Sequence, residues 1–315
     1  GMMVCQLSGR KSLWDVVENL KAQSHKLYHL GMKKVTRSTL SRVSDEQPYE
    51  LYKELFYKML YRCKAVAPSY RFKIGEKVYL LEASTINLCL AAFQWATFRQ
   101  KKGAVKLHIG LDADGYLPEF IDVTEGKKHE MSWARMLKLP KDYLAVFDRG
   151  FTDYDWWQEL TDNGIFFVTR LKDNALVECF KKRSGRKAKG IILDQKILLK
   201  GMRAKLRLVQ FIADDGNGFR FVTNAHHLKA AVVADLYKER WKIELFFKWI
   251  KQNLKIKTFL GTSENAVLTQ IWVALYVYLV LAYLAFLSKI GASMQQILRL
   301  LQLNLFERRD MEDNV

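Results

Sequence analysis

From Ile271 to Ser288 the chain reads IWVALYVYLVLAYLAFLS, eighteen residues without a formal charge. This run limits the fold more than any other part of the sequence. As a helix it must either cross a bilayer, for which about 18 residues is the lower limit, or be enclosed by protein on all sides. Tyr276, Tyr278 and Tyr283 sit inside the run, not at its ends where an aromatic belt would put them. It is also the single run of its kind. The expectation is a helix buried inside a large α/β domain, with no membrane partner.

Enough apolar residues surround that helix to bury it. The chain has 315 residues, half of them hydrophobic, which is room for one large domain or two and excludes wholesale disorder. The 51 Lys and Arg outnumber the 33 Asp and Glu, for a formal charge of +18. Such an excess points to a polyanionic partner, nucleic acid before an acidic membrane face. Cys5, Cys63, Cys89 and Cys179 form no CxxC pair and no disulfide framework. They read as reduced thiols in a cytoplasmic protein. The first residues lack the basic and apolar regions of a secretory signal.

Hydrophobic periodicity divides the chain. Residues 1–70 read as helical, opening abruptly in apolar residues as though within a larger helical region. Ser12 precedes LWDVVENLKAQ, with Leu13, Val16, Val17 and Leu20 on one face. Further helices are expected at Arg37–Val43 and Pro48–Tyr61. VTRSTLSRV has the small hydroxyls and arginines of a helix that reaches DNA bases and phosphates, or of a solvated helix.

From Lys77 the period becomes two. Strands are expected at Val78–Leu81, Ala104–Leu111 and Leu117–Val123, the last two joined by the turn Asp112-Ala113-Asp114-Gly115. A helix at Ser132–Leu137, a strand at Tyr143–Phe147, a helix at Asp153–Asn163 and a strand at Ile165–Arg170 follow. That order gives a mixed sheet with helices on its faces. Residues 171–226 break the rhythm and read as a β-rich insertion, with a basic loop at Lys181–Gly190. Helix returns from Leu228 to about Lys255, and residues 291–315 read as a polar C-terminal tail.

The helix after the insertion carries the most specific pattern. Tyr237, Arg240, Glu244 and Lys251 are spaced by three, four and seven residues. At about 100° per residue they fall in one stripe. Trp241, Ile243, Leu245, Phe246, Phe247, Trp249 and Ile250 make the rest of the helix apolar nearly all round. The polar stripe is therefore expected to face a site; the bland alternative is a solvated face with one i, i+4 pair.

YKERWKIELFFKWIKQNLK resembles the Y-x2-R-x3-E-x6-K signature of insertion-sequence DDE transposases, in the insertion sequence four family. WATFRQKKGAVKLHIGLDADGYLPEFIDVTEGKKHE, AVFDRGF, VTNAHH and FLGTSENAV are similar to the family's other motifs, so the resemblance covers about residues 10–290. It implies a ribonuclease H-like mixed sheet flanked by helices, in a catalytic domain over 71–290, with a β-rich insertion between the second and third of three metal-binding acids. By motif, Asp148 is the second acid and Glu244 the third. The first departs from the pattern. The family has L-D-x-[ST]-T-I, where this chain has Leu81-Glu82-Ala83-Ser84-Thr85-Ile86. Three readings stay open: Glu82 serves as the ligand after adjustment of its strand, this copy is crippled, or Asp112 or Asp114 is the first acid.

The implied activity is DNA transposition, cleavage and strand transfer of phosphodiesters at element ends with Mg²⁺ or Mn²⁺. Two hard cations held by carboxylates activate the attacking oxygen and steady the leaving one, so no serine or cysteine nucleophile is required. Arg240 and Lys251 would hold phosphates, Tyr237 would donate to a phosphate or stack on a base, His129 would contact phosphate near the metals or be a plain surface histidine, and Arg149 would pair with a carboxylate or with DNA. The alternatives are a hydrolysis-only nuclease of the same fold and a DNA-binding transposase derivative without catalysis, which Glu82 keeps open. A bacterial, nucleoid-associated location follows from the resemblance. A monomer in solution is compatible with the sequence, and a dimer is expected on DNA.

Overall fold

A computed structural model of the chain describes residues 1–9, 12–31, 34–69, 74–89, 91–99, 102–182, 188–254, 256, 258–288 and 291–306. The N-terminal helices are α1 (Met2–Ser8), α2 (Leu13–Ala22), α3 (Arg37–Glu46) and α4 (Glu50–Val66), with a 3-10 turn at Ser24–Leu30. Ser12 caps α2 by accepting from the Asp15 N–H, and the Asp15 side chain accepts in return from the Ser12 N–H. Val16, Val17 and Leu20 are buried, as the stripe required.

The sheet follows: β1 (Lys77–Leu88), β2 (Thr97–Arg99), β3 (Lys102–Asp112), β4 (Leu117–Glu125), α5 (Glu130–Ala134), β5 (Tyr143–Phe147), α6 (Tyr154–Asp162) and β6 (Phe166–Arg170). β1, β3 and β4 form an antiparallel meander; β5 runs parallel to β1, and β6 parallel to β5. This is the ribonuclease H-like order that the motifs imply. The β3–β4 turn needs left-handed backbone at Gly115 and Tyr116 (φ 68° and 55°).

The insertion supplies β7 (Val177–Lys182), β8 (Ile191–Leu199), β9 (Leu206–Ile212) and β10 (Gly218–Thr223). It is not a separate body. β10 pairs antiparallel with β6, and β9, β8 and β7 follow outward, so one ten-stranded sheet results. Of the basic loop, residues 183–187 lie outside the described residues.

The expected helix from Leu228 to Lys255 is two helices, α7 (Ala230–Glu239) and α8 (Trp241–Asn253), broken at Arg240. The Ile243 N–H bonds to the Arg240 carbonyl, a tighter i to i+3 turn in place of the α-helical bond. Beyond them lies α9 (Glu264–Leu287), capped by Ser263. It is long and apolar enough to cross a membrane. Most of it is enclosed by protein, with α1, α3, α4, α8 and α10 (Met294–Asn304) against it. Leu287, in its last turn, is half exposed. Within the polar tail expected at 291–315, Met294–Asn304 instead form α10, whose Ile297 and Leu298 are buried. Its apolar residues lie one helical turn apart, a pattern that a polar average conceals.

Two cores flank the sheet. Val78, Leu80, Ile86, Leu107 and Ile109 pack on one face with α4, α7, α8 and α9. Tyr79, Leu81, Ala145, Phe147 and Phe167 pack on the other with α5 and α6. The sheet is thus buried on both sides through its middle, so polar side chains on it stand out.

Candidate functional site

β1 is buried without interruption from Val78 to Leu81; at Glu82 the burial gives way and stays partial to Thr85. Alternation places Glu82 and Ser84 on the face that carries Leu80, towards α8. β1 and β5 are in parallel register, Leu81 opposite Phe147. Glu82 and Asp148 each come one residue after that pair, so two carboxylates emerge side by side where the parallel strands leave the core.

Asp148 caps the 3-10 turn Arg149–Phe151, its Oδ1 accepting from the Gly150 N–H at 2.8 Å. Its backbone carbonyl accepts from Thr169 Oγ1 at 3.2 Å. The turn is therefore fixed to both β5 and β6.

The third acid arrives with α8. Arg240, at the break before it, donates from Nη1 to Glu82 Oε2 at 3.1 Å and from Nη2 to Glu244 Oε1 at 2.6 Å. One guanidinium thus binds two carboxylates that lie 162 residues apart in the chain. Its side chain is 12 % exposed, and its Nε is buried without a partner. The Tyr237 ring lies 5.4 Å from the Arg240 guanidinium and packs on Phe221. Burial pushes the Tyr237 hydroxyl pKa up, against the charge of Arg240.

Glu82 is held in a tense setting. Burial and then the charge of Asp148 push its carboxyl up to about 7, opposed by Arg240 and by the Ala83 N–H that donates to Oε1. Carboxylates crowded at this cost, with only hard oxygen donors, suit a divalent cation of the Mg²⁺ or Mn²⁺ kind in charge and donor type. In this conformation Arg240 supplies the positive charge between Glu82 and Glu244. Among the described residues no three His, Cys, Asp or Glu side chains are gathered at metal-ligand spacing. Closing the acids on a cation therefore calls for side-chain rotation.

Not every residue of the expected set converges here. Lys251 points to β1, donating to Ser84 Oγ at 2.6 Å and to the Thr85 carbonyl at 3.0 Å, and so fastens α8 to the strand that carries Glu82. Arg149 turns outward and pairs with Asp173 at 3.5 Å. His129 is exposed and caps α5, its Nδ1 accepting from the Met131 N–H at 3.2 Å. Asp112 lies opposite Tyr79, on the other face of the sheet from Glu82, with 1 % of its side chain exposed and Lys77 at 2.8 Å. Asp114 sits beyond it in the hairpin, where its N–H donates to Asp112. Neither stands beside Asp148 and Glu244.

One acid near the site has no counterpart among the expected residues. Glu130, at the start of α5, brings Oε2 to 2.8 Å from where a Cβ on Gly150 would lie, and Asp148 Oδ1 is 2.9 Å from the same point. Nothing in its sequence spacing distinguishes it; its one signal is that it ends the KKHE motif.

The fold and this cluster define an α/β protein of ribonuclease H-like sheet order, with acids gathered where its parallel strands end. Residues 73–280 match the family model described as the transposase DDE domain, and the chain belongs to that family. Residues 1–33 match a second model, a domain of unknown function. A relative named as a transposase in Sinorhizobium fredii is 33 % identical over 226 residues, 69 % of this chain and 64 % of the relative. One named for an insertion sequence element of Geobacillus stearothermophilus is 30 % identical over 81 % of this chain and 68 % of its own length. A third, named likewise in Synechocystis, is 25 % identical over 86 % and 78 %. The match thus spans just under two thirds of the first of these relatives. A chain from a piggyBac transposase synaptic complex with hairpin DNA is similar with a TM-score of 0.43 and 10 % identity, over 73 % of this chain and 52 % of that one.

Proposed function

We propose that this chain is the catalytic body of a DNA transposase that cleaves and joins phosphodiesters at insertion-sequence ends, with Glu82, Asp148 and Glu244 as its acids. The observation that carries this reading is the Arg240 guanidinium bound at once by Glu82 and Glu244, beside Asp148 at the end of β5. A divalent cation at such a site supplies charge for the in-line transition state and lowers the pKa of the attacking oxygen.

The chain's own residues then have separable tasks. Glu82, Asp148 and Glu244 furnish hard oxygen donors from a strand, a strand end and a helix. Arg240, which here neutralises both glutamates, would present a planar fork suited to a phosphate if a cation took over that charge. Tyr237, packed under that guanidinium, limits where it can swing. Lys251 keeps α8 registered on β1, so its contribution to DNA binding is indirect. The +18 formal charge draws DNA to the protein in a salt-dependent manner. Residues 1–70 are the proposed DNA-binding region, with Arg37 and Trp14 stacked at 5.5 Å on its surface.

The test is cleavage and strand transfer with element-end DNA, in Mg²⁺ and in Mn²⁺, by the parent, Asp148→Asn and Glu244→Gln. Metal-dependent nicking and joining by the parent, lost in both variants, is the expected result. Nicking without joining would select a nuclease instead, and DNA binding with no cleavage in either metal would select a derivative disabled at Glu82.

A further inference from the structure

We propose that Glu130 is a fourth acid of this site, a positioning residue that sets its affinity for a divalent cation. The inference rests on the reading of Glu82, Asp148 and Glu244 as the catalytic acids.

Three contacts fix Glu130 where it is. His129 caps α5 through the Met131 N–H, which starts the helix at Glu130. Trp133 of α5 packs edge-on against Phe151, with ring centroids 6.4 Å apart, so α5 is held to the turn that follows Asp148. Lys106 of β3, itself 13 % exposed, lies 3.5 Å from Glu130 Oε1 and also donates to the Lys128 carbonyl at 3.0 Å. The other oxygen of Glu130 faces the turn.

Gly150 shows how near the two carboxylates come to each other. A Cβ there would lie 2.8 Å from Glu130 Oε2 and 2.9 Å from Asp148 Oδ1, closer than a carbon and an oxygen ordinarily approach. No positive φ demands glycine at this position. The two carboxylate ends share the room beside the Gly150 Cα. Like charges brought together without a full set of cations raise the affinity for a cation that neutralises them, at the expense of the cation-free state. Groups one shell out from a metal typically change its affinity by about 10–100-fold when removed.

The test is Mn²⁺ binding to the full chain, followed by electron paramagnetic resonance or calorimetry, without DNA. The proteins are the parent, Glu130→Gln, Glu130→Asp and Asp148→Asn, with circular dichroism to confirm folding. Glu130→Gln keeps the size and loses the charge; its Mn²⁺ affinity is expected to fall about 10–100-fold. Glu130→Asp keeps the charge and should recover part of the loss, which a purely structural role for the side chain would not give. Parent-like affinity in Glu130→Gln, with binding lost in Asp148→Asn, would overturn the role of Glu130 alone. Undiminished binding in Asp148→Asn would instead overturn the site on which the inference stands.

Discussion

Two buried arginines show how this molecule separates structure from function. Arg207, on β9 in the insertion, is 2 % exposed and fully engaged: Nε and Nη2 each donate at 2.8 Å to the two oxygens of Asp194, and Nη1 donates to the Leu228 carbonyl. Arg240 is nearly as buried, yet its contacts are split between two acids of different elements and its Nε has no partner. The first arrangement is a closed bidentate pair that fixes one geometry. The second leaves polar groups underused and a carboxyl pushed up to about 7. Such an arrangement leaves room for a change of partners, which the proposed reaction would require. Burial alone does not separate the two; completeness of partnering does.

The contrast breaks first on stability. Arg207→Ala leaves Asp194 without its buried partner and is expected to cost about 3–5 kcal/mol. Arg240→Ala should cost less, because Glu82 is already close to taking up a proton and Glu244 reaches water. Urea denaturation of both variants at pH 7 measures this, and equal losses would erase the distinction.

Cations should then stabilise one arginine's surroundings and not the other's. With Mn²⁺ at about a hundred times its dissociation constant, stability should rise by about 2.7 kcal/mol. Removal of the metal with EDTA should reverse the gain, and Asp148→Asn should abolish it. A gain that survives in Asp148→Asn would place the cation elsewhere.

The pH dependence of the metal-free protein sharpens the same point. Because the Glu82 carboxyl is raised in the fold, its contribution is complete below the ordinary value of 4.5 and is lost as pH rises through about 7. His108 works in the opposite sense. Its ring is buried on Trp133, and burial followed by the Lys106 and Lys128 charges lowers its pKa to about 4, so stability falls as pH drops from 6.5 towards 4. The two nearly mask each other in the parent. The difference between the parent and Glu82→Gln isolates the first, with a slope no steeper than about 1.4 kcal/mol per pH unit; a flat difference between pH 4.5 and 7 would contradict the strained setting of Glu82.

The smallest effect belongs to a third arginine. Arg149 makes an exposed pair with Asp173, so Arg149→Ala should change stability by less than about 1 kcal/mol. If Arg149 meets a phosphate, the same variant should reduce the salt dependence of DNA binding by about one unit of slope. An unchanged slope would leave it a surface ion pair.

Much of the fold around Arg240 was legible in the sequence, and for identifiable reasons. Strand β5 has the limits expected from its apolar pattern, because that pattern is set by which side chains must leave water. Three acids in their motifs led to Glu82, Asp148 and Glu244, and the spacing of Tyr237, Arg240 and Glu244 placed one cation beside the third of them. The break at Arg240 was not legible: residues 228–255 carry no proline or glycine to announce it. Nor was Glu130, which reaches the site only because α5 packs on the turn after Asp148.

What the sequence determined by itself was periodicity, charge and motif: a helix that had to be enclosed, a mixed sheet, a basic protein and a set of acids in order along the chain. The tertiary structure alone decided which charges meet. It gave Arg240 to Glu82 and Glu244, Lys251 to Ser84, Arg149 to Asp173 and Asp112 to Lys77. The physical reason is range. Periodicity is a local consequence of backbone geometry, whereas an ion pair between residues 158 positions apart, as Glu82 and Arg240 are, exists only after strand register and helix packing have brought the two together.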